Sequence, residues 1–200
     1  MNTSVDKSKL YDWAKCITTL LVVLAHATVM YSPKGAIPIA KDSAFLTGVT
    51  DYIYAFHMPL FVLLSWCVFG YCIESGKYSK IIPFLTNKFK KLMIPYLVIG
   101  CFYVAPVVCF LNVTDRGILS YIYDGILLSH NSRHLWYLIT LFWIFVIYIM
   151  LRPLIVKGRK GLLLTGIISI ALFVIARWVP VTLQLQRACN HQLYFYFGFY

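Results

Sequence analysis

Five long apolar stretches, with most charged residues confined to the segments between them, constrain this chain more than any other feature. They lie at residues 13–31, 51–72, 92–111, 134–151 and 161–179, and a further apolar stretch covers 192–200. A helix needs about 20 apolar residues to cross a bilayer. With 60% hydrophobic and only 12% charged residues, the chain has too few charges to cover a soluble surface. We therefore predict an all-α polytopic membrane protein with five complete transmembrane helices and a cut-off sixth.

Two segments at the margins of this pattern need separate interpretation. Residues 117–130, GILSYIYDGILLSH, are too short and too interrupted to span, which favours an interfacial or re-entrant piece. Near the N-terminus, Lys7 and Lys9, an apolar core and the sequence AHA at residues 25–27 imitate a signal peptide with its cleavage site. The apolar run nevertheless continues to Tyr31 and reaches spanning length, so we expect a retained helix.

The basic residues predict the orientation. Of the 18 lysines and arginines, twelve fall on the side of the N-terminus and six on the other. The twelve are Lys7, Lys9, Lys15, Lys77, Lys80, Lys88, Lys90, Lys91, Arg152, Lys157, Arg159 and Lys160, and the six are Lys34, Lys41, Arg116, Arg133, Arg177 and Arg187. Because cytoplasmic loops carry the excess of positive charge, we predict a cytoplasmic N-terminus in the cell membrane. The same topology explains the net charge of +11 without a nucleic-acid partner.

The six cysteines are scattered through apolar runs, without CxxC pairs or Cys/His clusters at metal-ligand spacing. Such cysteines are typical of small hydrophobic packing residues. We predict neither a metal site nor a disulfide framework.

Two polar residues interrupt the first apolar stretch, YDWAKCITTLLVVLAHATVMY: Lys15 and His26. Eleven residues make almost three helical turns, so both lie on one face, about 16 Å apart along the axis. Lys15 at the rim fits an interfacial anchor. His26 lies past the midplane, where an ionisable group is costly and usually faces a polar cavity or a partner. A purely structural, hydrogen-bonded histidine is the alternative.

His57, in YAFHMPLFVLLSW, is a second imidazole inside a span. It lies roughly 9 Å from the outer end of the second helix, at a depth comparable to that of His26. Two imidazoles at one level predict a shared polar pocket. The alternative is that His57 caps backbone carbonyls freed by Pro59, two residues on.

Three lysines, Lys88, Lys90 and Lys91, are expected just before the third helix, in NKFKKLMIPYL. Lys88 and Lys91 are three residues apart and are expected to share a face. They fit either positive-inside topology and anionic lipid headgroups, or a site for a phosphate-bearing cosubstrate.

Arg133, His134 and Trp136, in SRHLWYLITLFW, are expected at the outer mouth of the fourth helix. Tryptophan at that level is typical of an aromatic belt. The cationic and imidazole groups beside it also suit a sugar hydroxyl or an acidic group.

Taken together, these stretches resemble the acyltransferase-3 family of integral membrane acyltransferases, in particular its fucose 4-O-acetylase-like members. The resemblance is carried by DWAKCITTLLVVLAH with its basic-x10-His spacing, FHMPLFVLLS, NKFKKLMIPYL, HLWYLITLF and LYFYFGFY, which occur in family order. It implies transfer of an acetyl group from acetyl-CoA, as a cosubstrate rather than a bound cofactor, to a hydroxyl of an extracytoplasmic or lipid-linked carbohydrate.

The resemblance also implies roles for individual residues. His26 matches the family's essential histidine, the expected general base, and Lys15 matches the basic residue paired with it. Lys88 and Lys91, with Lys90 between them, match positions that hold the CoA phosphates.

The sequence departs from the family pattern in three places. Lys15 replaces the commoner arginine, which keeps the charge and loses the planar fork. Trp66 stands where a glycine usually follows the serine. The family has about ten spanning helices, so we expect these 200 residues to be one partial domain, completed by a missing C-terminal part or by a homo-oligomer. The alternatives are a transporter or flippase with His26 and His57 as a proton relay, and an inactive truncated homologue or regulatory subunit.

Overall fold

The computed structural model describes residues 3–32, 43–74, 76, 78 and 80–198. These residues are predominantly helical and contain no strand, and five of their helices are long and apolar enough to cross a membrane. The predicted all-α polytopic fold is confirmed. Seven helical elements carry the discussion below: α1 (Thr3–Thr28), α2 (Ala44–Glu74), α3 (Ile81–Phe110), α4 (Ile118–Leu127), α5 (Trp136–Ile155), α6 (Arg159–Ile175) and α7 (Leu185–Phe197).

The chain divides into two compact units, residues 1–71 with 197–200, and residues 72–196. Lys34, Lys41 and Lys77, which contribute to the predicted orientation, lie outside the described residues, as does the end of the predicted sixth span at residues 199–200. The extent of the acyltransferase domain stays a prediction.

In the first unit, α1 presents small residues on its buried face. Thr18, Ala25 and Thr28 are buried at spacings of seven and three residues, the period of a helix–helix contact face. Such residues let neighbouring membrane helices approach closely. The Thr50 hydroxyl on α2 donates to Thr28 Oγ1 over 2.7 Å, so an interhelical hydrogen bond joins the two helices at this face.

The third helix begins earlier than its predicted start at residue 92. Lys80 is extended and α3 begins at Ile81, with Pro83 in the first turn, where a missing amide costs nothing. Two π-helical segments, Phe89–Met93 and Gly100–Val104, lie within α3, each two residues before a proline. Local π turns let a membrane helix absorb a proline without ending. The three lysines expected before the helix therefore lie within it.

The segment between α3 and α5 forms the short helix α4, whose ten residues are too few to span. It packs on α3: the Tyr96 hydroxyl donates to the Ile126 carbonyl over 2.6 Å. A Cβ at Gly100 would lie 2.7 Å from Ile126, so glycine is what allows this approach.

The second unit is held together by a buried polar network among α5, α6 and α7. The Tyr148 hydroxyl lies 3.0 Å from Ser169 Oγ and 3.0 Å from the Gln192 carbonyl. The Gln192 amide donates to the Ser169 carbonyl over 2.6 Å, and all three residues are fully buried. Polar side chains satisfied across helices stabilise membrane bundles. Gln192, the predicted start of the sixth span, lies inside α7, which begins seven residues earlier at Leu185.

Candidate functional site

His26 on α1 has a ring orientation fixed by its own helix. Its Nδ1 lies 2.9 Å from the Val22 carbonyl, one turn earlier. A carbonyl can only accept a hydrogen bond, so Nδ1 carries the proton and, in the neutral ring, Nε2 carries the lone pair. A backbone carbonyl thus orients His26 as a carboxylate does in many catalytic histidines. The half-buried ring is held as a proton acceptor at Nε2.

His57 on α2 has the same tautomer in a more buried position. Its Nδ1 donates to the Ile53 carbonyl over 2.8 Å, and the residue is only 3% exposed. Its Nε2 is buried with no hydrogen-bond partner among the described residues. The carbonyl that Pro59 deprives of its helical donor is that of Ala55, so the Ile53 bond is not the predicted cap of a freed carbonyl. A buried acceptor without a hydrogen bond lowers the stability of the folded protein, and the hydrogen bond at Nδ1 does not offset this cost.

Tyr54 connects the two imidazoles and was missed from the sequence. Its ring centroid lies 6.1 Å from that of His26, edge-on, and 5.1 Å from that of His57. The sequence could have indicated Tyr54, because it lies three residues before His57 and both residues therefore lie on one face of α2. Both histidines thus contact one aromatic neighbour within the first unit, and the shared polar pocket stays a prediction.

Lys15 lies on the same unbroken helix as His26, and its side chain is half-buried. Eleven residues of continuous helix place the two Cα atoms about 16 Å apart along the axis. Lys15 is thus too far from His26 for direct contact along α1, because about three helical turns separate the two residues.

The three lysines of α3 have different environments, although the sequence treats them alike. Lys88 Nζ lies 3.7 Å from the ring centroid of Phe145, 5.5 Å from that of Phe84 and 5.8 Å from that of Tyr78. Such cation–π contacts hold an ammonium group against aromatic faces. Lys90 and Lys91, in the π-helical segment that follows, are exposed. Lys88 is half-buried, and the common face of Lys88 and Lys91 stays a prediction.

The predicted acceptor residues surround the start of α5. Arg133 adopts a left-handed backbone (φ 51°), and its Nε is buried without a hydrogen-bond partner among the described residues. His134 is exposed. The Trp136 ring contacts His191, with ring centroids 5.4 Å apart, and the Arg187 guanidinium carbon lies 4.7 Å from the Trp136 ring centroid.

His191 and Arg187 on α7 were not singled out from the sequence, because no local pattern pairs them with Trp136, which lies more than 50 positions earlier. Together with Trp136 they form an aromatic and cationic surface of the kind that binds sugars or anions. Lys15, His26 and His57 belong to the first unit, whereas the lysines of α3 and the residues around α5 belong to the second.

Comparison with known proteins gives one match. A family model described as an acyltransferase domain matches residues 9–200. No curated protein and no solved structure matches the chain.

Proposed function

The chain belongs to the acyltransferase-3 family, and on this premise we propose that it moves an acetyl group from acetyl-CoA to a carbohydrate hydroxyl. It is a membrane protein of the acyltransferase class. The acceptor in this proposal is an extracytoplasmic or lipid-linked carbohydrate, as in fucose 4-O-acetylase-like members of the family.

The orientation of His26 is the observation that carries the proposal. A sugar hydroxyl is a poor nucleophile, and a positioned base within hydrogen-bond reach accelerates its attack by about 10² to 10⁴-fold. Nε2 of His26 takes the hydroxyl proton as the sugar oxygen attacks the thioester carbonyl. The C–O ester bond forms, the C–S bond breaks, and the proton passes to the CoA thiolate. The Val22 carbonyl holds Nδ1–H throughout, so Nε2 keeps its orientation.

The donor side of the proposal uses the basic residues. In the second unit, the exposed Lys90 and Lys91 are our candidates for holding the CoA phosphates, and in the first unit Lys15 is the basic residue paired with His26. Lys88 contributes positive charge from its aromatic surroundings rather than an extended, solvated side chain. We place these residues towards the cytoplasm of the cell membrane, following the excess of basic residues on that side.

On the acceptor side, we propose residues that accept hydrogen bonds from the sugar or stack against it. The buried Nε2 of His57 accepts a hydrogen bond from the sugar, beside Tyr54. In the second unit, Arg133, His134 and Trp136 are our separate candidates for binding carbohydrate.

The test compares O-acetyl content of envelope carbohydrate in cells that produce the full-length protein or its variants. His26→Ala abolishes acetylation while membrane insertion is unchanged, and His26→Gln, which keeps a donor for the Val22 carbonyl but no base, is equally inactive. Thr19→Ala is the matched control on α1, because its exposed hydroxyl bonds only the Lys15 carbonyl. Full acetylation by His26→Ala would remove His26 from the mechanism.

A transporter gives a different pattern in the same cells. Movement of a substrate that follows the proton gradient, needs no acyl donor and is lost in both His26→Ala and His57→Ala would replace the proposal by proton-coupled transport.

A further inference from the structure

A chain of hydrogen bonds unrelated to His26 links an aspartate, a histidine and a threonine in the second unit. Asp124 Oδ1, near the end of α4, lies 2.8 Å from His130 Nδ1. His130 Nε2 lies 3.0 Å from Thr182 Oγ1, 52 residues further along the chain. Arg116 forms an ion pair with the other oxygen of Asp124. The side chain of Asp124 is 29% exposed and that of His130 is 39% exposed, so small molecules in water reach the cluster.

The backbone around this cluster is held in an unusual conformation. Ser129, Leu183 and Gln184 are non-glycine residues with left-handed φ angles of 60°, 55° and 57°. The Leu183 amide donates to the Leu128 carbonyl over 2.8 Å, and the Gln184 amide group donates to the Ser129 carbonyl. Such conformations cost free energy and persist where the surroundings fix them, typically at functional sites. The two segments thus hold His130 and Thr182 at a fixed separation.

The hydrogen bonds determine which atom carries each proton. A carboxylate accepts, so His130 Nδ1 carries the proton and its Nε2 accepts from the Thr182 hydroxyl. The hydrogen bond from His130, with Arg116 beside it, holds the pKa of Asp124 below its usual range, so this carboxylate is ionised at neutral pH. A hydroxyl next to a histidine whose other nitrogen is held by a carboxylate is the arrangement of an activated nucleophile.

We propose that Thr182 is an acyl-accepting nucleophile, with His130 as its general base and Asp124 as the positioning residue. Thr182 Oγ1 attacks the carbonyl carbon of an activated acyl group and its proton moves to His130 Nε2. An ester bond forms to Thr182, and the bond to the thiolate or other leaving group breaks. His130 then returns the proton to that leaving group. For acyl-CoA as the natural donor, the inference rests on the proposed function, and the acetyl ester on Thr182 forms in addition to the direct transfer at His26.

The same hydrogen bonds would also form if they served only to hold the two segments together. Formation of a covalent acetyl ester on Thr182 distinguishes the catalytic role from this structural one. Full-length protein in lipid nanodiscs, where both faces are accessible, is incubated with p-nitrophenyl acetate or acetyl-CoA. Peptide mass spectrometry then measures acetyl on Thr182, and hydroxylamine must release it as it releases an ester. We expect acetyl on Thr182 in the wild-type protein and in Thr182→Ser, and none at this position in Thr182→Val.

The remaining variants separate catalysis from structure. His130→Gln lowers the rate of acetylation at Thr182 by about 10² to 10⁴-fold, the usual contribution of a general base. Asp124→Asn also lowers it and shifts its pH profile, whereas Asp124→Glu restores part of the rate. Thr114→Val is the control, because its hydroxyl accepts from the Arg116 backbone amide and has no hydrogen bond to Asp124, His130 or Thr182 among the described contacts. Absence of acetyl on Thr182, or an unchanged rate in His130→Gln, would overturn the proposal.

The two proposals fail independently in this design. His26→Ala loses transfer to carbohydrate but keeps labelling of Thr182 by p-nitrophenyl acetate. Labelled Thr182 without any carbohydrate transfer would contradict the proposed function alone, and carbohydrate transfer without labelled Thr182 would contradict this inference alone.

Discussion

Replacing His57 by leucine, His57→Leu, should make the protein more stable and less active. In the wild-type protein, Nε2 of His57 is buried without a hydrogen-bond partner among the described residues. Leucine has a similar volume and carries no polar atom, so it removes that unpaired acceptor. The same substitution removes the group that we propose binds the acceptor sugar.

The magnitude follows from two opposing contributions. Removing a buried, unsatisfied polar group recovers about 1 to 3 kcal/mol. The lost hydrogen bond from Nδ1 to the Ile53 carbonyl costs about 0.6 kcal/mol, the average for side-chain hydrogen bonds in a membrane protein. The Ile53 carbonyl keeps its helical partner, because α2 continues unbroken through residue 57. The net expectation is stabilisation by about 0.5 to 2 kcal/mol.

The assay is unfolding of the purified full-length protein in mixed micelles, titrated with SDS and followed by tryptophan fluorescence. Thr50→Val is the matched comparison on α2. It deletes the hydroxyl that donates to Thr28 over 2.7 Å and should destabilise by about 0.6 to 1.7 kcal/mol. Opposite signs for the two variants are the expected result. Destabilisation of His57→Leu to the same extent as Thr50→Val would show that Nε2 is already paired, and the reasoning would fail.

Three further predictions concern the fold and the Asp124 cluster. Gly161→Ala places a Cβ against the Leu154 carbonyl oxygen, too close for any real contact, and should destabilise by about 1 to 3 kcal/mol. Gly48→Ala meets nothing within 4 Å and should stabilise by about 0.5 to 1 kcal/mol in the same SDS titration. Gln192→Leu removes the bond to the Ser169 carbonyl and the one from Tyr148, and should lower the unfolding midpoint, while Gln186→Leu should not. Because the pKa of Asp124 is lowered by His130 and Arg116, the stability it contributes is complete above about pH 4 and is lost as the pH falls through the lowered value. The protection factors of amides in residues 128–133, which correct for the intrinsic pH dependence of hydrogen exchange, should fall in acid in the wild-type protein and not in Asp124→Asn. An equal fall in both would contradict the prediction.

The sequence predicted the spans because hydropathy over about 20 residues reports directly on the bilayer. It missed the start of α3, where three lysines imitate the end of a span and π turns carry the helix past prolines. The aromatic surroundings of Lys88 were equally invisible, since Phe145 is 57 residues away in the chain.

In the candidate site, too, contacts between residues close in the sequence could be predicted, whereas contacts between distant residues could not. The tautomers of His26 and His57 follow from contacts four residues away, which helical geometry alone makes available. The contact of Tyr54 with His57 could have been predicted from the same helical geometry, because the two residues are three positions apart. His130 and Thr182 were not, because their contact depends on two left-handed segments that no local pattern indicates.

Transfer of radiolabelled acetyl from acetyl-CoA by the purified full-length protein in nanodiscs tests the central claim most directly, with envelope carbohydrate from the native cell as acceptor. We predict label in the carbohydrate and stoichiometric release of CoA thiol for the wild-type protein and for Thr19→Ala, and neither for His26→Ala. Equal labelling by His26→Ala, or release of CoA without labelled carbohydrate in the wild-type protein, would contradict the account.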